Sequence, residues 1–230
     1  MPLDPRIARG MAAQLELRRQ RLAAGEQPIG WKVGFGAPAA MDKLGTGRPL
    51  VGFLTDRGLI PDGARVAIGD WVAPMFEAEI GVQLADDVPL RASRDEVRAA
   101  VRGVCAAVEL ADVFPPPSDP QEILAGNIFH RHVMLGALDT ARQDGRGITA
   151  RITRGRTEEV GRTDNPAELT GEVVEVVRLT AELLEASGER LRAGETVITG
   201  SVIPPLPVLP GQYVQAELSP LGRLAVELIA

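Results

Sequence analysis

The chain opens on a helical period. Ile7, Met11 and Leu15 share one face, Asp4 stands at the cap position, Pro5 follows at the first helical position, and Gly25 marks the stop. The period then shortens. Gly30-Trp31-Lys32-Val33-Gly34-Phe35-Gly36 alternates as a strand does, and its glycines imply close backbone approach. From Leu50 to Trp71, short apolar runs alternate with Asp-Arg-Gly and Pro-Asp-Gly, the punctuation of hairpins. Ala73 to Leu84 predicts a long strand. Ser93 and Glu96 form a capping box ahead of Val97, Val101 and Val104, predicting a helix that gives way to a strand near Ala106 to Leu110. A second long helix is predicted from Asn165-Pro166 to Gly188, with Leu169, Val173, Val176, Val177, Leu183 and Leu184 on its apolar face. Strands return at Thr196 to Thr199, Tyr213 to Leu218 and Leu224 to Ile229, and the proline-dense stretches Phe114 to Pro120 and Pro204 to Pro210 read as loops. Many short strands with three helices predict an α+β chain, mainly β, rather than a doubly wound parallel sheet.

Composition narrows the classes of function. The 230 residues are 45% apolar, ample for a proper core, and fit one large domain or two small ones; with no long linker, the expectation is a single catalytic domain over 1–230 with a helix at about 4–24 packed on or leading into it. A net charge of -6 without a basic block argues against nucleic acid as a partner. No apolar run approaches the roughly 18 to 20 residues a membrane helix needs, and the opening ten residues lack the apolar segment of a secretory signal. The single Cys105 excludes an intrachain disulfide framework and a cysteine-rich zinc site, and suits a cytoplasmic location. With His130 and His132 as the only histidines, a three-histidine site is excluded as well. No dinucleotide fingerprint or P-loop is present.

The candidate chemistry lies in carboxylates. On a strand, Glu77 and Glu79 point the same way, about 7 Å apart, with Phe76, Ile80 and Val82 on the other face. Like charges so close raise each other's pKa, and a divalent cation relieves the repulsion; all-oxygen ligation suits a hard ion such as magnesium, manganese or calcium. Glu109 in Ala107-Val108-Glu109-Leu110 is a third carboxylate, and its apolar setting demands a partner. The same pair of glutamates also fits the solvated face of an edge strand. Lys32 is one of only two lysines against 23 arginines. A lysine can give up its proton where an arginine cannot, so Lys32 is a candidate acid, base or carboxylate holder. Lys43 reads as an ordinary surface residue. Thr199-Gly200-Ser201 could bind an oxyanion or a carboxylate, Asn127 could hold a metal-bound water, and His130 and His132 are candidates for an acid or base near the site; each also fits a turn or a strand end.

Taken together, Gly30-Trp31-Lys32-Val33-Gly34, Phe76-Glu77-Ala78-Glu79-Ile80, Ala107-Val108-Glu109 and Ile198-Thr199-Gly200-Ser201 make an ordered set. With it the chain resembles the fumarylacetoacetate hydrolase superfamily, in particular its 2-keto-4-pentenoate hydratase and 4-oxalocrotonate decarboxylase branch, over about residues 10–228. The resemblance implies a mixed β-roll or sandwich with a few flanking helices. It implies Mg2+ or Mn2+ on Glu77, Glu79 and Glu109, Lys32 for proton transfer, Thr199, Gly200 and Ser201 against the substrate, and Asn127 near the metal. The implied substrate is a small 2-oxo acid or its dienol, in aromatic compound catabolism, and the implied assembly is a homo-oligomer, dimer or larger. Hydratases of the branch carry an aspartate where this chain has Leu50; Asp56 lies nearby but does not match it. The expected activity is therefore a hydratase-like lyase. A decarboxylase or an acylpyruvate-type C–C hydrolase stands beside it, and a non-catalytic acid-binding homologue is the alternative of another class.

Overall fold

A computed structural model describes residues 3–116 and 118–230; position 117, within the first proline-dense stretch, lies outside the described residues. The chain begins with α1 (Pro5–Ala23), where the Asp4 carboxylate accepts from the Arg6 backbone N–H at 2.8 Å. There follow β1 (Pro28–Gly34), α2 (Pro38–Leu44), β2 (Leu50–Thr55), β3 (Ala64–Ala67) and β4 (Pro74–Leu84). Next come α3 (Arg94–Ala100), β5 (Val101–Asp112), α4 (Pro120–Ala125), β6 (His130–Leu135), β7 (Thr149–Arg154) and β8 (Glu158–Thr163). Last are α5 (Ala167–Thr170), α6 (Val173–Ala186), β9 (Thr196–Ser201), β10 (Leu206–Pro207), β11 (Tyr213–Ser219) and β12 (Gly222–Ile229). Short 3₁₀ turns occupy Asp56–Gly58 and Asn127–Phe129.

The strands form two sheets, so the predicted mixed, mainly β architecture is the one adopted. The larger runs β2-β1-β9-β4-β5-β6, with β10 paired to β4; the smaller runs β3-β12-β11-β7-β8. The larger sheet curls. Leu59, just beyond edge strand β2, bridges Val133 on the opposite edge strand β6, and the Ile60 N–H donates to the Val133 carbonyl at 2.9 Å. Strand alternation then sorts the side chains. Trp31, Phe53, Phe76, Ile80, Val82, Val108 and Leu110 face outward into the main core, beneath the helices and the second sheet. Leu54, Ala107, Val133 and Ile198 form a small apolar cluster inside the curl, and Lys32, Glu77, Glu79 and Glu109 share that inner face by register. No helix among the described residues is long and apolar enough to cross a membrane.

Several predicted elements are corrected. β2 and β3 do not form a hairpin: β2 pairs with β1, while β3 joins the other sheet parallel to β12. The capped helix α3 stops at Ala100, and Val101 and Val104 belong to β5. A central strand is apolar on both faces, so its valines imitate a helical spacing. The single helix expected from Asn165 to Gly188 is broken at Gly171, whose φ of +87° no helix accommodates. This break leaves α5 free to lean over the site described next.

Candidate metal centre and active-site cavity

β4 and β5 pair in a register that sets Glu77 directly opposite Glu109 and Glu79 opposite Ala107. Each of the three glutamates offers an oxygen, and these oxygens all lie within 4.8 Å of one another. Lys32 comes from β1, which is separated from β5 by the two strands β9 and β4, and reaches the cluster because the sheet curls. Its Nζ donates to Glu109 Oε1 and, at 3.0 Å, to the Ile128 carbonyl. Gly52, opposite Lys32 on β2, makes room for the lysine stem: a Cβ there would stand 2.9 Å from both Lys32 Cγ and Asn127 Oδ1. The close approach implied by the glycines of β1 is to β9, since a Cβ on Gly30 would meet the Thr196 carbonyl oxygen at 1.8 Å.

Most of the cluster is dry: Glu79 is 0%, Glu109 1% and Lys32 2% exposed, while Glu77 is half-buried at the cavity. Burial, then the charge of Glu109, pushes the Glu77 carboxyl up to about 7, with Lys32 opposing. Burial and both neighbouring glutamates raise Glu79 well above the carboxylate range, although the Gly200 N–H donates to its Oε2 at 2.7 Å. Glu109 goes the other way. Burial would raise it, but Lys32 and then His130, whose Nδ1 lies 2.7 Å from Oε1, outweigh that and hold it low. Environment thus separates one ionised carboxylate from two that resist ionisation while no cation is near.

The cluster closes one end of a cavity of about 320 Å³. Its walls are mostly apolar: Phe35 and Phe129 meet edge to face at 6.5 Å, and Met75, Leu169, Pro204 and Pro205 line it as well. α5 contributes Leu169 and Thr170, and the loop after β9 contributes Pro204 and Pro205. Among the described lining residues, Lys32, Glu77 and Glu109 are the only ionisable ones.

The other expected site residues divide. Gly200 and Ser201 line the cavity; Gly200, at φ +90°, turns its N–H onto Glu79, and the Ser201 hydroxyl donates to the Ile203 carbonyl at 2.5 Å. Thr199 does not line it, because its hydroxyl is spent on the Ile80 carbonyl at 3.0 Å. Asn127 was expected near the metal, but its amide closes the free edge of β2: Oδ1 accepts from Phe53 N–H at 2.8 Å and Nδ2 donates to the Phe53 carbonyl at 3.0 Å. His132 stacks on Trp71 with ring centroids 6.0 Å apart and lies outside the cavity wall. His130 holds Glu109. Leu50 is fully buried opposite Gly34, on the sheet face that carries Lys32, and Lys43 is exposed on α2.

One feature of the site has no signature in the amino-acid pattern. Asn127, Ile128 and Phe129 all adopt left-handed backbone angles, with φ of +54°, +51° and +60°. Such a conformation costs about 1–2 kcal/mol per residue, most for β-branched Ile128. The turn aims the Ile128 carbonyl at Lys32 and presents Ile128 and Phe129 to the cavity. Met75, Leu169 and Thr170 line the cavity without being among the expected site residues; Gly171, inside the expected helix, is the one signal in the sequence for the break that places Leu169 and Thr170 there.

No family model matches the chain. Individual proteins do. Over 219 residues it is 28% identical to a 4-oxalocrotonate decarboxylase of Pseudomonas putida, covering 94% of this chain and 83% of that protein. It is 27% identical to a 2-hydroxyhexa-2,4-dienoate hydratase of Comamonas testosteroni, covering 93% and 83%. The solved structure of 4-oxalocrotonate decarboxylase from Pseudomonas putida G7, complexed with magnesium and adipate, superposes with a TM-score of 0.86 at 28% identity, covering 94% and 83%. A fumarylpyruvate hydrolase from Pseudomonas aeruginosa, at 18% identity and a TM-score of 0.67, covering 86% and 88%, shares the fold. Its structural neighbours lie in the fumarylacetoacetate hydrolase superfamily, whose fold the chain shares. The curated proteins it resembles are named 4-oxalocrotonate decarboxylase and 2-keto-4-pentenoate hydratase.

Proposed function

We propose that this chain is a divalent-metal-dependent lyase acting on a small 2-oxo acid or its dienol. Glu77, Glu79 and Glu109 are the ligands of a Mg2+ or Mn2+ ion, and Lys32 is the proton carrier. The observation that carries this reading is the convergence of three carboxylates, with one amine beside them, at the end of an apolar cavity.

The residues fit such an ion. Glu79 Oε1 is buried without a hydrogen-bond partner. Three carboxylates face a single lysine, so full ionisation would leave uncompensated negative charge in a dry place. The donors are all oxygens, which favours a hard cation. A divalent ion bound there would act as a Lewis acid toward the negative charge that develops on a 2-oxo oxygen.

The chain's own groups perform the rest. Lys32 has three N–H donors; Glu109 and the Ile128 carbonyl take two, leaving one to pass a proton to substrate. Ser201 keeps lone pairs to accept from a ligand while its own proton is held by Ile203. Phe35, Phe129, Met75 and Leu169 exclude water, which strengthens each polar contact inside.

The relatives are named for two reactions, and one observation favours decarboxylation. Addition of water needs one group to take a proton and another to give one; loss of carbon dioxide leaves a conjugated enolate and needs only a proton delivered to its oxygen. With the glutamates engaged as ligands, Lys32 is the only acid–base side chain left among the described lining residues. Leu50 stands where the resemblance places the hydratases' aspartate.

The test is metal-stripped protein assayed with 4-oxalocrotonate and with 2-hydroxypenta-2,4-dienoate, before and after adding Mg2+ or Mn2+. Turnover should require the metal, with release of carbon dioxide the faster reaction. Faster hydration would reverse the choice between the two. No turnover of either by metal-loaded protein would favour a non-catalytic acid-binding homologue. A homo-oligomer, dimer or larger, belongs to the same reading on the strength of the family resemblance, and a cytoplasmic location on the single Cys105; light scattering tests the first.

A further inference from the structure

We propose that His130 is a positioning residue for Glu109, and that with Lys32 it makes this glutamate a one-oxygen ligand. The inference rests on the metal reading above. Glu109 Oε1 receives both the Lys32 ammonium and the His130 Nδ1–H, the latter at 2.7 Å. Two hydrogen bonds use the lone pairs of one carboxylate oxygen, so only Oε2 remains for a cation. Lys32 alone would tether the carboxylate through a long, flexible stem. The imidazole is short and rigid, and its side chain is 4% exposed.

Two features seat the ring. The left-handed turn at Asn127–Phe129 ends at His130, which opens β6 opposite Ala111, two positions along β5 from Glu109. From the other side the turn at Asp56–Gly58 covers the ring: a Cβ on Gly58 would stand 2.9 Å from His130 Nε2. Because an ionised carboxylate only accepts, Nδ1 carries the hydrogen. Nε2 is buried without a partner, and His130 is absent from the cavity lining. A proton-transfer histidine needs a nitrogen facing the substrate; this one offers its single engaged nitrogen to a ligand, which is how outer groups fix the orientation of metal-binding side chains.

The probe is Mn2+ titrated into protein stripped with EDTA, read by calorimetry and by the electron paramagnetic resonance spectrum of the bound ion. His130→Phe fills the space without a donor, whereas His130→Asn sets an amide N–H close to where Nδ1 stands. His130→Phe should weaken Mn2+ binding about 10- to 100-fold and broaden the spectrum. His130→Asn should restore most of the loss. Gly58→Ala, which presses on the ring from behind, should weaken binding in the same direction. If His130→Phe binds Mn2+ as wild type does, or if His130→Asn is no better than His130→Phe, the positioning role is wrong and the metal reading survives. If wild type binds no Mn2+, the metal reading itself fails and takes this role with it. Should His130→Phe not fold, His130→Ala removes the donor with less bulk and carries the same expectation.

Discussion

Glu77→Gln should stabilise the metal-free protein at neutral and alkaline pH while removing its response to Mg2+. Burial and then the charge of Glu109 raise the Glu77 carboxyl from 4.5 to about 7. Below 4.5 this carboxyl is protonated in both folded and unfolded chains and contributes nothing. As the pH rises past 4.5 the unfolded chain ionises while the folded protein keeps its proton, so stability falls. The loss is complete near 7, above which both states are ionised. At about 1.4 kcal/mol per unit, the gap corresponds to about 3 kcal/mol, an upper figure because Glu77 touches the open cavity. For a chain of this size, each kcal/mol moves the melting temperature by about 2–4 °C. The variant should therefore melt up to about 6–12 °C above wild type at pH 8 in EDTA, and close to it at pH 4.5. The assay is calorimetric melting across that range, repeated with Mg2+. At a hundred times its Kd the ion should return about 2.7 kcal/mol to wild type and little to the variant. A variant that melts below wild type at pH 8 in EDTA, or one that keeps the wild-type pH dependence, would refute the cost assigned to this carboxylate.

Other expectations follow from single contacts. Lys32→Arg keeps the charge but cannot release a proton, so kcat should fall about 10²- to 10⁴-fold while Mn2+ still binds by calorimetry. Asn127→Ala strips the Phe53 N–H and carbonyl of their partners at the sheet edge, and urea unfolding should report a loss of about 2–4 kcal/mol. Gly52→Ala would press on Lys32 and Asn127 at once; activity and the urea midpoint should drop together, whereas an effect on only one would show that the other side chain gives way.

Parts of this protein are read directly from its pattern. The Asp4 cap, the long strand of Glu77 and Glu79, and the closing strands β9, β11 and β12 all stand where local periodicity places them. Elsewhere the local signal competes with burial. Val97, Val101 and Val104 keep a helical spacing, yet the last two lie on a strand covered on both faces. Asn127 and Thr199 look like ligands in sequence, but a buried backbone group with no strand partner claims them first.

What the sequence determined by itself is the supply and the facing of the chemistry: two glutamates on one side of a strand, a third in an apolar strand, and one lysine flanked by glycines. These follow from the two-residue period of a strand, which any register preserves. Only the tertiary structure decided which of them meet. The β4·β5 register sets Glu77 against Glu109, and the curl of the sheet carries Lys32 across 77 positions of sequence to the same carboxylate that His130 holds. Register and curl come from pairing and burial summed over strands far apart in the chain, and no local pattern encodes that sum.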